Sequence, residues 1–88
     1  MKHLNIRIHG QVQGVFFRDS ARRKAEELGI KGFARNEPDG AVYIEAEGPE
    51  EALEKLVNWC WEGPEMAKVD KVEIEEGDSV NFQNFQTK

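Results

Sequence analysis

Eighty-eight residues are enough for one domain and one core, and too few for a separate cofactor-binding domain. With 39% apolar and 33% charged residues the chain reads as a compact globule, too apolar to be disordered, and its apolar runs fall far short of the roughly 20 residues that cross a bilayer. A net charge of −5 argues against a general nucleic-acid binder, whose affinity rests on many Lys and Arg contacts to phosphate, and requires that any anion site be built locally.

Residues 4–9 set Leu4, Ile6 and Ile8 against Asn5, Arg7 and His9, the alternation of a half-buried strand rather than of a signal peptide. His3 and His9 fall on its polar side. Gly10 to Gly14 breaks the pattern. Phe17, Ala21, Ala25 and Leu28 then form one stripe at helical spacing, with Gly29 where a helix ends. A second strand is expected over Ile30 to Asn36, followed by Glu37-Pro38-Asp39-Gly40, a turn in which Pro presets φ and Gly supplies a positive φ. The third strand places Val42, Ile44 and Ala46 on one face and Tyr43, Glu45 and Glu47 on the other.

Gly48-Pro49 opens a second helix, with Glu50 and Glu51 at the positive end of its dipole and Ala52, Leu53, Leu56, Val57 and Cys60 as its stripe. Gly63-Pro64 stops it. Lys68 to Glu76 reads as a fourth strand, in which Val69 is out of phase with Val72 and Ile74, so a bulge or a late start is expected. Phe82 to Thr87 gives a weaker strand pattern. The order β-α-β-β-α-β predicts a single α+β domain over residues 1–88: a ferredoxin-like sandwich with two helices on one face of a four- to five-stranded, mainly antiparallel sheet. That topology hosts many unrelated functions and by itself assigns none.

The segment GQVQGVFFR, residues 10–18, lies between the first strand and the first helix, where backbone N–H groups are unpaired and the helix dipole favours an anion. Gly14 lets the chain curl so that the N–H groups of residues 14–18 can turn towards one point. Arg18 adds a planar guanidinium able to bind two phosphate oxygens at once. On spacing alone, a plain strand–helix turn with a surface arginine is the better description, because Gly-x-x-x-Gly is common. No Gly-Lys-Ser/Thr follows, so it is not a Walker loop.

GQVQGVFFR closely resembles the acylphosphatase loop, usually written GxVQGVxFR, and GFARNEPDG at residues 32–40 resembles that family's second motif, G-(aromatic)-x-(Arg/Lys)-Asn-x-x-x-Gly. GPEEALE at 48–54, Gly63-Pro64 and the strand at Phe85 fit the same pattern, so the resemblance spans nearly the whole chain. It implies hydrolysis of acyl phosphates of the acetyl phosphate, carbamoyl phosphate or 1,3-bisphosphoglycerate type to a carboxylate and inorganic phosphate. It also implies that Arg18 binds the phosphoryl group together with the backbone N–H groups of Gly14, Val15, Phe16, Phe17 and Arg18, and that Asn36 orients the attacking water. No cofactor, metal or phosphoenzyme is implied. A lone cysteine and the absence of a His-x-x-x-His or paired-carboxylate pattern agree with that expectation.

The sequence departs from the family pattern at four places. Phe16 stands where a Gly or another small residue is frequent, Phe33 replaces the more usual Trp, Ala34 a usual Val, and Thr87 a common Ile. Phe16 is expected either to narrow the loop or to alter how the acyl group lies; Phe33 and Ala34 bear on packing, and Thr87 weakens the edge of the final strand. Trp59 and Trp61 are expected to pack or lie on the surface, Arg35 to be exposed. Two other assignments compete: a non-catalytic ferredoxin-like module that binds an anion or RNA, and an acylphosphatase-like domain of a carbamoyltransferase. RNA is disfavoured because the first strand carries no aromatic and the third only Tyr43. The expectation is a cytoplasmic monomer acting on a small molecule, with no nucleic-acid or membrane partner.

Overall fold

A computed structural model describes residues 1–88. Its elements are β1 (Lys2–Gln11), α1 (Phe17–Leu28), β2 (Lys31–Asn36), β3 (Val42–Gly48), α2 (Glu50–Glu62), β4 (Lys68–Gly77) and β5 (Phe85–Thr87). The strands form one sheet in the order β4-β1-β3-β2-β5. All pairs are antiparallel except β2 with β5, which is parallel. The ferredoxin-like α+β expectation is met, with a fifth strand.

The apolar stripes read from the sequence meet in a single core. Leu4, Ile6 and Ile8 of β1 and Val42, Ile44 and Ala46 of β3 are buried against Phe17, Ala21 and Ala25 of α1 and Leu53, Leu56 and Cys60 of α2. Alanines at two successive contacts let α1 lie close to the sheet, and each fully buried Ile or Leu is worth roughly 1.5–3 kcal/mol. Cys60 is part of this packing, and burial pushes its thiol up to about 12, which leaves it unreactive. Trp59 packs its ring 5.2 Å from that of Phe17, and Trp61 lies at the surface.

Helix α1 ends at Gly29, whose N–H donates to Glu26 while that of Ile30 donates to Ala25. This Schellman closure turns Ile30 into the core, so β2 begins at Lys31, one residue later than expected. The phase slip at Val69 is a bulge. His9 faces Lys71 but Gly10 faces Val69, which leaves Asp70 as the extra residue of β4. Gly10 sits in the bulge at φ 131°, where a β-carbon would stand 2.1 Å from the Lys68 carbonyl oxygen. Only glycine fits there.

One reading needs correction, and one residue lies deeper than its place on the strand suggests. The final strand is Phe85–Thr87, not Phe82–Thr87, because the N–H groups of Val80 and Phe82 are taken by the Glu47 carboxylate rather than by a neighbouring strand. His3 is on the polar side of β1 as expected, yet it is buried. Segment 78–84 passes over that end of the sheet, with Phe82 stacked on the His3 ring at 5.9 Å.

Candidate active site

The loop between β1 and α1 keeps its backbone donors free. Phe16 occupies the position before the helix at φ 63°, ψ 25°, and no side chain caps α1. The first N–H to find a partner is that of Ser20, which donates to the Phe16 carbonyl. Those of Gly14, Val15, Phe16, Phe17 and Arg18 bond to nothing within the chain. Gly14 reaches φ 75° with no Cβ to hinder it, which bends the chain into this course.

A cavity of about 300 Å³ opens at this helix terminus. Gly14, Phe16, Phe17 and Arg18 line it, and Asn36, from the end of β2, faces them. Two segments separated by the whole of α1 are thus brought to one cleft. Of the residues expected at the site only Val15 is not on the wall: its side chain packs against the core. Val12, Asp19 and Thr87 complete the lining and were not expected at the site from the sequence. Asp19 was readable as the residue after Arg18 in the first helical turn. Thr87 was not, because its place depends on β5 pairing with β2, where it faces Ala34.

The cleft is held from several sides. The Gln13 side-chain amide donates to the carbonyls of Glu37 (2.8 Å) and Ala41 (2.9 Å), tying the loop to the β2–β3 turn beside Asn36. That turn is closed by Glu37 N–H on Ala41 O and by the Asp39 carboxylate accepting from Ala41 N–H. The Glu37 carboxylate pairs with Arg7 (3.2 Å) and Arg35 (3.0 Å). Arg35 is exposed, as expected, but its guanidinium also lies 4.8 Å from the Tyr43 ring centre. Burial, aided by the hydrogen bond to Glu45, pushes the Tyr43 phenol up to about 12 against the pull of Arg35 and Arg7.

Arg18 donates through Nη1 to the backbone oxygen of Lys88 at 2.7 Å and pairs with no Asp or Glu side chain. Its remaining donors stay unengaged, and the side chain is only partly exposed. The one acid on the wall, Asp19, is occupied: Arg22 donates to it at 2.7 Å and Arg23 approaches to 3.1 Å. The Arg22 hydrogen bond, with Arg23 beside it, holds the Asp19 carboxyl below the usual carboxylate range and offsets its charge next to the cleft. The Asn36 side chain makes no hydrogen bond in the chain and is exposed, while its backbone pairs with Val42. His9 lies elsewhere, bonded to Glu73 at 2.6 Å. No three His, Cys, Asp or Glu side chains gather as a metal-holding group. The cleft therefore combines an array of N–H donors, one guanidinium and one neutral amide, which suits a tetrahedral oxyanion and a water beside it.

The acylphosphatase family model matches residues 4–87. An acylphosphatase of Rubrobacter xylanophilus is 52% identical over 75 residues, covering 85% of this chain and 68% of that one. The solved structure of an acylphosphatase from Coxiella burnetii aligns with a TM-score of 0.96 at 38% identity, covering 99% of this chain and 92% of that one. One from Bacillus subtilis aligns with a TM-score of 0.95 at 34% identity, over 99% and 98%.

Proposed function

The chain belongs to the acylphosphatase family and hydrolyses acyl phosphates, and we propose that it does so by direct attack of water on a phosphoryl group held by Arg18 and the N–H groups of residues 14–18. The observation that carries this reading is what one cleft brings together: Gly14, Phe16, Phe17 and Arg18, whose backbone N–H groups have no partner, the free side-chain donors of Arg18 and the free amide of Asn36. The guanidinium and the N–H groups neutralise the equatorial oxygens as charge develops on them. Asn36 accepts from the water through its carbonyl oxygen and fixes its line of approach.

So few groups suffice because of the bond that breaks. The P–O bond gives its electron pair to a carboxylate oxygen, and a group whose acid has a pKa of about 4 leaves without a proton. The loose transition state of phosphoryl transfer asks mainly for charge stabilisation and positioning. A neutral amide is no base near neutrality, so the water's proton passes to a phosphate oxygen. The bond from Arg18 to the Lys88 backbone oxygen holds the guanidinium in place, so that little reorganisation accompanies substrate binding. We take the enzyme to be a monomer, expected as a single species near 10.1 kDa in solution. Its place is the cytoplasm, where a fold that needs no disulfide is at no disadvantage. It acts on small molecules alone, its net charge of −5 being unsuited to nucleic acid.

Hydrolysis of benzoyl phosphate in the presence of a chelator tests the reading. The wild type should turn over, while Arg18→Ala and Asn36→Ala each lose about 100-fold or more in kcat/KM, or about 2.7 kcal/mol of transition-state stabilisation. A well-folded wild type without turnover, or either variant at wild-type rate, overturns it. Asn36→Asp tests the proton's route: a large gain in rate would mean that a base had been missing.

A further inference from the structure

The side chains of one wall of the cleft have no part in the phosphate chemistry. With the phosphoryl oxygens taken by Arg18 and the N–H groups, and the water held at Asn36, the acyl group must lie along what remains of the lining. Its apolar members are Val12, Phe16 and Phe17. Val12 and Phe17 are each 1% exposed and belong to the core. Phe16 is 80% exposed. Its ring has no aromatic partner, for Phe17 packs on Trp59, and Phe33 on Tyr43 and Phe82. It is the only apolar surface in the cleft that a ligand can cover.

The backbone makes this placement costly twice over. A phenyl ring left in water gains nothing for folding. At φ 63°, ψ 25° Phe16 is also in the left-handed region, where its β-carbon is crowded and a glycine would be at ease. The loop bend therefore does not call for this side chain, and an unburied ring on a strained backbone beside a binding cleft is the pattern of a ligand contact.

We infer that Phe16 selects the acyl group: its ring packs against the acyl moiety and favours acyl phosphates with an aromatic or extended apolar substituent over small ones such as acetyl or carbamoyl phosphate. This rests on the assignment of the phosphate end to Arg18 and the loop N–H groups. A two-carbon acyl group is too small to cover a ring face, whereas a benzoyl group can stack on it, and contact kept into the transition state raises kcat/KM.

The test measures kcat/KM for benzoyl phosphate and acetyl phosphate with the wild type, Phe16→Gly, Phe16→Asn and Phe16→Tyr, together with competitive inhibition by inorganic phosphate. Glycine and asparagine both tolerate the left-handed backbone, so either can report if the other folds poorly. The benzoyl-to-acetyl ratio should fall about ten-fold in both and be kept in Phe16→Tyr. Comparing ratios with the wild type cancels the intrinsic difference between the two substrates. Inhibition by phosphate, which has no acyl group, should move less than the ratio does. An active Phe16→Gly with an unchanged ratio, or equal losses on both substrates, overturns the inference alone. A wild type inactive on both substrates overturns the phosphate assignment, and this inference with it.

Discussion

Two irregular segments, 12–16 and 78–84, each lead into a short or uncapped element and each present backbone N–H groups that no strand accepts. They differ in where the negative charge comes from. The N–H groups of Val80 and Phe82 meet a carboxylate of the chain itself, Glu47, 1% exposed and also bonded to His3 Nδ1 at 2.7 Å. Burial opposes the ionisation of Glu47, but the Val80 N–H, His3 and the Phe82 N–H outweigh it and hold the carboxyl down to about 2. The N–H groups of residues 14–18 have no such partner, and the only acid on their wall, Asp19, is held by Arg22 and Arg23. The same backbone chemistry locks the fold where the anion is built in, and stays open to an anion from solution where none is.

The contrast implies that damage to the first kind of segment appears in stability and damage to the second in catalysis. The largest effect is expected from Glu47→Ala, which strands two N–H groups and a buried His3: a loss of about 3–5 kcal/mol in urea unfolding, with kcat well below the melting temperature changed only slightly. A melting curve like that of the wild type would show that Glu47 does not hold segment 78–84.

The pH dependence sharpens the same point. Glu47 titrates at about 2 in the fold against an ordinary 4.5, so its contribution is complete above pH 4.5 and is lost as pH falls towards 2, roughly 3 kcal/mol in all. His3 has the opposite sign. Burial lowers its pKa, but the hydrogen bonds to Glu47 and Asn5 and the charge of Glu45 raise it above 6.5. Its contribution is complete below pH 6.5 and is lost as pH rises through the raised value. The stability difference between the wild type and Glu47→Gln should therefore be greatest between pH 4.5 and 6.5 and shrink towards pH 2. A difference independent of pH would break the assignment.

On the other side, Arg18→Lys keeps the charge but loses the planar fork, and should reduce kcat/KM by roughly 100-fold, about 2.7 kcal/mol. Its melting temperature should stay close to the wild type's, because no Asp or Glu side chain is stranded. A comparable loss of stability would mean that Arg18 is structural. The smallest effect belongs to Gln13→Ala, which cuts the tether between the loop and the β2–β3 turn. It should cost about 1 kcal/mol of stability and raise KM more than it lowers kcat. An unchanged KM would mean that the loop holds its shape without the tether.

How much of this was legible depends on the distance over which each feature is decided. The stripe Phe17, Ala21, Ala25, the alternation Leu4, Ile6, Ile8 and the slip at Val69 are local patterns, and each became the element or bulge it indicated. Arg18 and Asn36 were found through motifs of nine residues each, and both line the cleft. Glu47 and His3 carried no such signal. On sequence each is one polar residue on the outer face of a strand, and nothing local announces that residues 78–84 will cover them. The shortened β5, with Thr87 in the cleft, was hidden for the same reason.

Taken by itself, the sequence determined the order of elements, the core stripes, the bend at Gly14 and the identity of the donors, because periodicity, glycine and motif spacing act over a few residues. Only the tertiary structure decided that Asn36 faces Arg18 across the cleft, that Asp19 is neutralised by its neighbours, that the Phe16 ring is left uncovered and that Glu47 is buried. Those outcomes depend on pairings between residues up to some 70 positions apart, as from Arg18 to Lys88, and on which surfaces the packed chain happens to cover.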